Sequence, residues 1–192
     1  MVSLNIMTNN KIIFGFTGQL SCGKGTAAKY LEQKYNAQTY RFSTKLRNLL
    51  DAIYIEHSRD AMIKMSEAVR SIFGEDILAK AMAKDAANDS NPIVVVEGIR
   101  RPADIEFLKE LPNFILVEIF AEPETRYQRL IKRRENSDDN SKTYKQFLAD
   151  HQRPTELSIS QVTPEAVEHI DNNGTVEDLN KQLDVLIKKY AN

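Results

Sequence analysis

The 192-residue chain has a single cysteine, no apolar run of membrane-spanning length and no excess of either charge. Each lack narrows what the chain can be. One cysteine excludes an internal disulfide and suits a reducing cytosol. Lys plus Arg number 26 against 27 for Asp plus Glu, so no global field recruits nucleic acid or an anionic membrane. The apolar runs stop far short of the ~20 residues a bilayer demands. The opening "MVSLNIMTNN" has no basic stretch followed by an apolar segment, so residues 1–10 read as a tail and not as a secretory signal. These lacks point to a soluble, cytoplasmic protein. Its length suits one domain, residues 1–192, with a full-sized core.

What is present is an alternation of two periodicities. "KIIFGFT" (11–17) reads as a buried strand and "KGTAAKYLEQKY" (24–35) as the helix after it. "QTYRF" (38–42) is a short strand, and "STKLRNLLDAIYI" (43–55) has a helical apolar face. "SRDAMIKMSEAVRSIFG" sets Met62, Met65, Val69, Ile72 and Phe73 at helical spacing before Gly74, and "EDILAKAMAKDA" continues in helix. "NPIVVVEGI" (91–99) is a β-branched strand, "RPADIEFLKEL" a helix and "FILVEIFA" (114–121) a strand. "PETRYQRLIKRRE" is a helix with Pro123 in its first turn. Residues 135–160 are polar and acidic, with one helical piece at "TYKQFLADH". "AVEHID" (166–171) is a weaker strand, and Thr175 with Asp178 three residues on caps the last helix. Strands alternating with helices imply an α/β fold with a mostly parallel sheet. Two stretches stand apart as subregions: a helical insert at 43–88 and a lid region at 134–160.

"GQLSCGKGT" (18–26) follows directly on the first strand. In a parallel sheet, ligands bind where strands end and helices begin. Gly18 lets the chain turn off the strand; Gly23 and Gly25, bare of Cβ, let backbone N–H groups close round phosphate oxygens at a helix N-terminus. Ser21 and Cys22 lie within the loop, and Lys24 supplies the point charge for the β- and γ-phosphates. Cys22 either lines the phosphate site or fills a tight turn. The hydroxyl of the G-x-x-x-x-G-K-[ST] pattern arrives one place late, as Thr26. That spelling resembles the G-x-P-G-x-G-K-G-T loop of adenylate kinase and related nucleotide kinases, where Gly then Thr is usual. The chain departs from it in having Leu20–Ser21 for Pro–Gly.

A kinase also needs an acceptor site and charge on the transferring phosphoryl group. "VVVEGIRRP" sets Glu97 at a strand end beside the loop, where a carboxylate holds Mg²⁺ directly or through water, or simply faces solvent. Arg100 follows at the edge of the sheet, where a forked guanidinium suits an acceptor phosphate. "EGIRRPADIEFLKEL" is similar to the D-x-R-x-P-x-E-x-E-x-I segment of phage-type deoxynucleoside monophosphate kinases, and takes in Arg101. "YRFSTKLRNLLDAI" resembles their F-A-x-P-L-K segment through Phe42, Ser43, Leu46 and Arg47. "MIKMSEAVRSIFGEDILAKAM" resembles their L-Q-x-L-G-x-x-x-R stretch and the G-x-D-x-W after it, which carries acceptor binding onto Arg70. The chain lacks that tryptophan and has Met65–Ser66 for Leu–Gly.

"AEPETRYQRLIKRRENSDD" resembles the lid helix shared with dephospho-coenzyme A kinase, with Arg126 in place of glutamine. Arg126, Arg129 and Arg133 stand at i, i+3 and i+7 on one stripe. "HIDNNGTVEDLNKQL" resembles the N-x-G-T-x-E-x-L ending of the same kinases, which implies that the loop holding Gly174 lies near adenine. The chain also resembles a group of archaeal adenylate-kinase-like proteins with D-G-I-R and R-x-x-D-D in these places. The resemblance implies a P-loop NTPase fold of nucleoside monophosphate kinase type, five parallel strands ordered 2-3-1-4-5. It further implies Mg²⁺-dependent transfer of the ATP γ-phosphoryl group to a nucleoside monophosphate, the phage-type segments pointing to a deoxynucleoside. Lys24, Arg126, Arg129 and Arg133 would stabilise transferring charge, and Thr26 with Glu97 would arrange the metal. Ser43, Arg47, Arg70, Arg100 and Arg101 would hold the acceptor. Two alternatives stay open: a dephospho-coenzyme A kinase, and an ATP-binding switch with no small-molecule acceptor.

Overall fold

Five segments, of which the first, third and fourth are mainly apolar, pair as one all-parallel sheet in the computed structural model, which describes residues 11–133, 142–152 and 154–190. The tail at 1–10 and residues 134–141 of the lid region lie outside the described residues. The strands are β1 (Ile12–Thr17), β2 (Gln38–Arg41), β3 (Ile93–Ile99), β4 (Phe114–Phe120) and β5 (Glu168–Asp171). Their spatial order is β2-β3-β1-β4-β5. That is the 2-3-1-4-5 order implied by the resemblance. Every residue of β1 is buried, as the central strand of a sheet covered on both faces must be.

The helices are α1 (Lys24–Tyr35), α2 (Phe42–Ala52), α3 (Arg59–Phe73), α4 (Ile77–Asn88), α5 (Pro102–Ile105) and α6 (Pro123–Arg133). Then come α7 (Tyr144–Asp150), α8 (Pro154–Leu157), α9 (Ile159–Val162), a 3₁₀ turn at Thr163–Glu165 and α10 (Val176–Tyr190). The period-2 alternation of β1 divides the core. Ile12, Phe14 and Phe16 face Ala27, Ala28 and Leu31 of α1 and Leu179, Leu183 and Leu186 of α10. Ile13 faces the other way, with Val94 and Val96, onto Phe42, Leu46, Leu78, Met82 and Leu108. The result is three layers, α/β/α.

One expectation fails in part. "RPADIEFLKEL" is helical only over Pro102–Ile105 and continues as turns. The apolar spacing that suggested a helix still seats Ile105 and Leu108 in the core, which turns accomplish as well. The last helix does start as read: Asp178 Oδ2 accepts from Thr175 N–H and Oγ1 (3.2 and 2.8 Å), and Asp178 N–H is returned to Thr175 Oγ1 (3.2 Å). Among the described residues no helix is long and apolar enough to cross a membrane.

Candidate active site

Because all five strands are parallel, their C-terminal ends share one edge, and the chemistry-bearing residues collect there. β1 runs out at Thr17 into the glycine loop, which ends on Gly23 as the N-cap of α1. Gly23 has φ +111°, and a Cβ there would lie 2.1 Å from Asn172 Nδ2, so no side chain fits. Asn172 is itself buried. Its Nδ2 donates to the Cys22 carbonyl at 2.8 Å, tying the loop to the end of β5. Lys24 folds back over the loop, its Nζ donating to the carbonyls of Gly18 and Gln19 (3.1 Å for the latter). Thr26 is exposed on the first turn of α1. The Ser21 hydroxyl is buried without a hydrogen-bond partner among the described residues, on a residue with φ +61°.

Cys22 is a correction in part. Its backbone belongs to the loop, but its side chain is 1% exposed and packs with Phe16, Ala27 and Ile119. The thiol therefore fills the turn beneath Gly18, the second of the two readings.

Glu97 stands where β3 bulges. Phe16 pairs with Glu97 but Thr17 with Ile99, so Gly98 (φ +88°) is an extra residue that only glycine accommodates easily. The bulge leaves Glu97 buried beside α1, with Oε2 3.7 Å from the position a Gly25 Cβ would take. Glu97 Oε1 accepts from Arg41 Nε at 2.5 Å. Arg41, the last residue of β2 and in register with Glu97, drew no notice in the sequence. A basic residue ending one strand and an acidic residue near the end of its neighbour was the available signal.

The lid-helix arginines diverge. Arg126 is 1% exposed: its Nε donates to Ala121 C=O (2.9 Å), its Nη1 to Leu20 C=O (3.3 Å), and the guanidinium lies 5.4 Å from the Phe147 ring centroid. Nη1 also meets His151 Nε2 at 2.7 Å. Burial pulls its pKa below the usual guanidinium range, and the nearby Glu156 carboxylate opposes that shift. Arg126 thus props the loop from beneath and does not reach into it. Its expected direct role in phosphate contact is corrected accordingly. Arg129 lies half-buried, its Nη2 near Asn172 Oδ1 (3.5 Å) and Gly174 C=O (3.4 Å). Its Nη1 is buried with no partner among the described residues, and burial lowers its pKa. The Arg133 side chain lies outside the described residues.

The acceptor-side arginines divide too. Arg70 is buried on α3, held by Asp104 Oδ1 (3.3 Å), the Glu75 carbonyl and Ser66 Oγ (3.4 Å). It supports the site from below, because Asp104 Oδ2 also accepts the N–H groups of Arg100 and Arg101, each at 3.0 Å. The expectation that Arg70 touches the acceptor is therefore corrected. Its long side chain finds a buried carboxylate instead of the cleft. Arg101 turns to Glu75 Oε2 at 3.4 Å. Arg47 Nη1 donates to Ser43 Oγ (3.0 Å), one turn apart on half-buried positions of α2. Arg100 keeps 38% of its side chain exposed at the edge, its Nη1 3.3 Å from Glu156 Oε1. Asp104 and Asn172 lay inside segments read only for their resemblance, and Glu156 gave no signal in the sequence. A lone polar residue in a polar stretch looks solvated until its distant partner is known.

Residues 17–145 match the AAA domain family. The chain is similar to the UPF0200 protein of Methanothermobacter thermautotrophicus, 25% identical over 190 residues that take in 95% of this chain and 92% of that one. It is also similar to a UPF0200 protein of Pyrococcus furiosus, 28% identical over 181 residues, 92% of this chain and 96% of the relative. Among solved structures, shikimate kinase from Bacteroides thetaiotaomicron superposes with a TM-score of 0.66 at 15% identity, covering 94% of this chain and 99% of the other. That likeness bears on the fold alone. The five-stranded parallel sheet with its phosphate loop is a P-loop kinase-like fold.

Proposed function

The chain belongs to the AAA domain family, and from its P-loop kinase-like fold we propose that it transfers the γ-phosphoryl group of ATP, with Mg²⁺, to the phosphate of a nucleoside monophosphate. The observation that carries the donor half is a pair of buried donors without partners among the described residues, Ser21 Oγ and Arg129 Nη1, on the loop and on the helix beside it. An unmet buried donor costs about 1–3 kcal/mol, and phosphate oxygens relieve it. With the glycine-bounded start of α1, these donors fit a polyphosphate.

Lys24 leaves the Gly18 and Gln19 carbonyls and takes the β- and γ-phosphates. Arg129 draws charge off the transferring group from the side of Asn172 and Gly174. Thr26 and Glu97 would hold Mg²⁺, whose charge neutralises the phosphates. One or two protein oxygens are enough, since the nucleotide and water supply the rest. Arg41, donating to Glu97 Oε1, holds that carboxylate in place beside the loop. Arg100, on the exposed rim, grips the acceptor phosphate with a planar fork, and Ser43 with Arg47 on α2 would add to that grip. Alignment and charge neutralisation supply most of the rate, so no general base is obligatory. The deoxynucleoside preference rests on the phage-type segments.

The test is ADP release with ATP, Mg²⁺ and a panel of ribo- and deoxynucleoside monophosphates plus dephospho-coenzyme A. Stimulation by one class of monophosphate is expected. Stimulation by dephospho-coenzyme A alone would transfer the assignment to that acceptor, and release indifferent to every acceptor would make the chain a nucleotide switch.

A further inference from the structure

Between the glycine loop and Arg100 stands one carboxylate. Glu156 is 6% exposed at its side chain; its Oε2 accepts from the Leu20 N–H at 3.1 Å and its Oε1 faces Arg100 Nη1 at 3.3 Å. It arrives on the four-residue helix α8, and two residues later Ser158 Oγ donates to the Arg100 carbonyl at 2.8 Å. The segment therefore holds Arg100 by side chain and by backbone at once. The donors that Glu156 uses, a loop N–H and a guanidinium, are the kind that phosphate oxygens use. The grip on Arg100 is also one-pronged and long for a charged pair, where a phosphate offers two short contacts.

We propose that Glu156 is a specificity-determining residue of the acceptor side: its carboxylate stands in the anion position that an acceptor phosphate takes, and the acceptor must displace it from Arg100. The proposal rests on the reading of Arg100 as the acceptor's anchor. A monoanion or a small free anion gains too little from Arg100 to evict a buried, doubly hydrogen-bonded carboxylate. A dianionic phosphate monoester, gripped bidentately and held elsewhere by the rest of its molecule, gains enough. The carboxylate thus works as a repulsive element against the wrong anions. Acceptor binding is coupled in turn to release of the segment at 154–158 from the loop.

Glu156→Gln isolates the charge, because the amide keeps the volume and still offers an oxygen to the Leu20 N–H. Inorganic phosphate is titrated calorimetrically into the full chain, with and without saturating Mg²⁺ and the β,γ-imido analogue of ATP. The glutamine variant is expected to bind phosphate at least tenfold more tightly than the wild type, with Glu156→Ala moving in the same direction. Adding Arg100→Ala to either variant should abolish the gain. A purely structural tie predicts lower thermal stability with phosphate affinity unchanged or weaker, and that result overturns the proposal. A gain that survives Arg100→Ala overturns it as well, since the anion would then sit elsewhere. Failure of the wild type to bind the nucleotide analogue would remove the kinase reading. The phosphate comparison between wild type and variants would still decide the role of Glu156.

Discussion

Asp104 offers the sharpest test of how the sheet edge around Arg100 is built. Its carboxylate is 4% exposed at the side chain and accepts three donors: Arg70 Nη2 on Oδ1, and the Arg100 and Arg101 N–H groups on Oδ2. Asp104→Asn preserves shape but leaves one oxygen for those donors and turns an NH₂ group against the rest. If the amide oxygen keeps the two backbone N–H groups, the buried Arg70 guanidinium loses its only charged partner among the described residues. Breaking a buried ion pair by removing one charge costs about 3–5 kcal/mol. The 3.3 Å separation is long, so the lower figure applies, about 3 kcal/mol. For a chain of this size, that lowers Tm by roughly 6–12 °C. Arg70→Met is the milder change, about 1.5–3 kcal/mol, because Asp104 keeps its two backbone donors. Thermal unfolding by circular dichroism measures both, and Arg70→Met with Asp104→Asn, whose amide oxygen still accepts the two backbone N–H groups, tests the pairing. The double variant should recover part of the loss seen in Asp104→Asn. A Tm shift under about 2 °C for Asp104→Asn would refute the picture of a buried carboxylate holding Arg70 and Arg100 together.

Three further outcomes are expected. Lys24→Ala should cut acceptor-dependent ADP release by about 10²–10³, one charge-stabilising donor being worth roughly 3–4 kcal/mol, while urea unfolding moves by only about 1 kcal/mol. Near-wild-type turnover would remove the loop from the reaction. Cys22, 1% exposed, should react with iodoacetamide about a hundredfold more slowly in the native than in the urea-unfolded chain, since a local opening of roughly 3 kcal/mol must come first. Comparable rates would place the thiol at the surface. Asp184, hydrogen-bonded by Lys34 and then by Tyr30, is held down to about 2 from the usual carboxylate value. A depressed carboxyl stabilises the fold fully above its unfolded pKa and loses that contribution as pH falls through about 4 toward 2. The side chain is 36% exposed, so solvent screening limits the effect to about 1 kcal/mol. Asp184→Asn should therefore lower Tm at pH 7 and match the wild type near pH 2, and a difference independent of pH would dissociate the charge from the effect.

What the sequence settled by itself is what depends on neighbours along the chain. The loop from Gly18 to Thr26 was legible because strand end, glycines, lysine and helix start all fall within nine residues. The strands and long helices were legible because burial on one or both faces leaves a period that local counting detects, and α10 announced its start through Thr175 and Asp178. The helix expected over 101–111 was shortened because its apolar spacing is equally met by turns. The tertiary structure alone decided which charged side chains face the cleft. Arg70, Arg100 and Arg126 look alike in sequence, but Asp104 lies 34 residues from the first, Glu156 lies 56 from the second and Leu20 lies 106 from the third. Glu156 meets the loop across 136 residues. A guanidinium goes to the nearest acceptor in space, and only the folded sheet edge determines which acceptor that is.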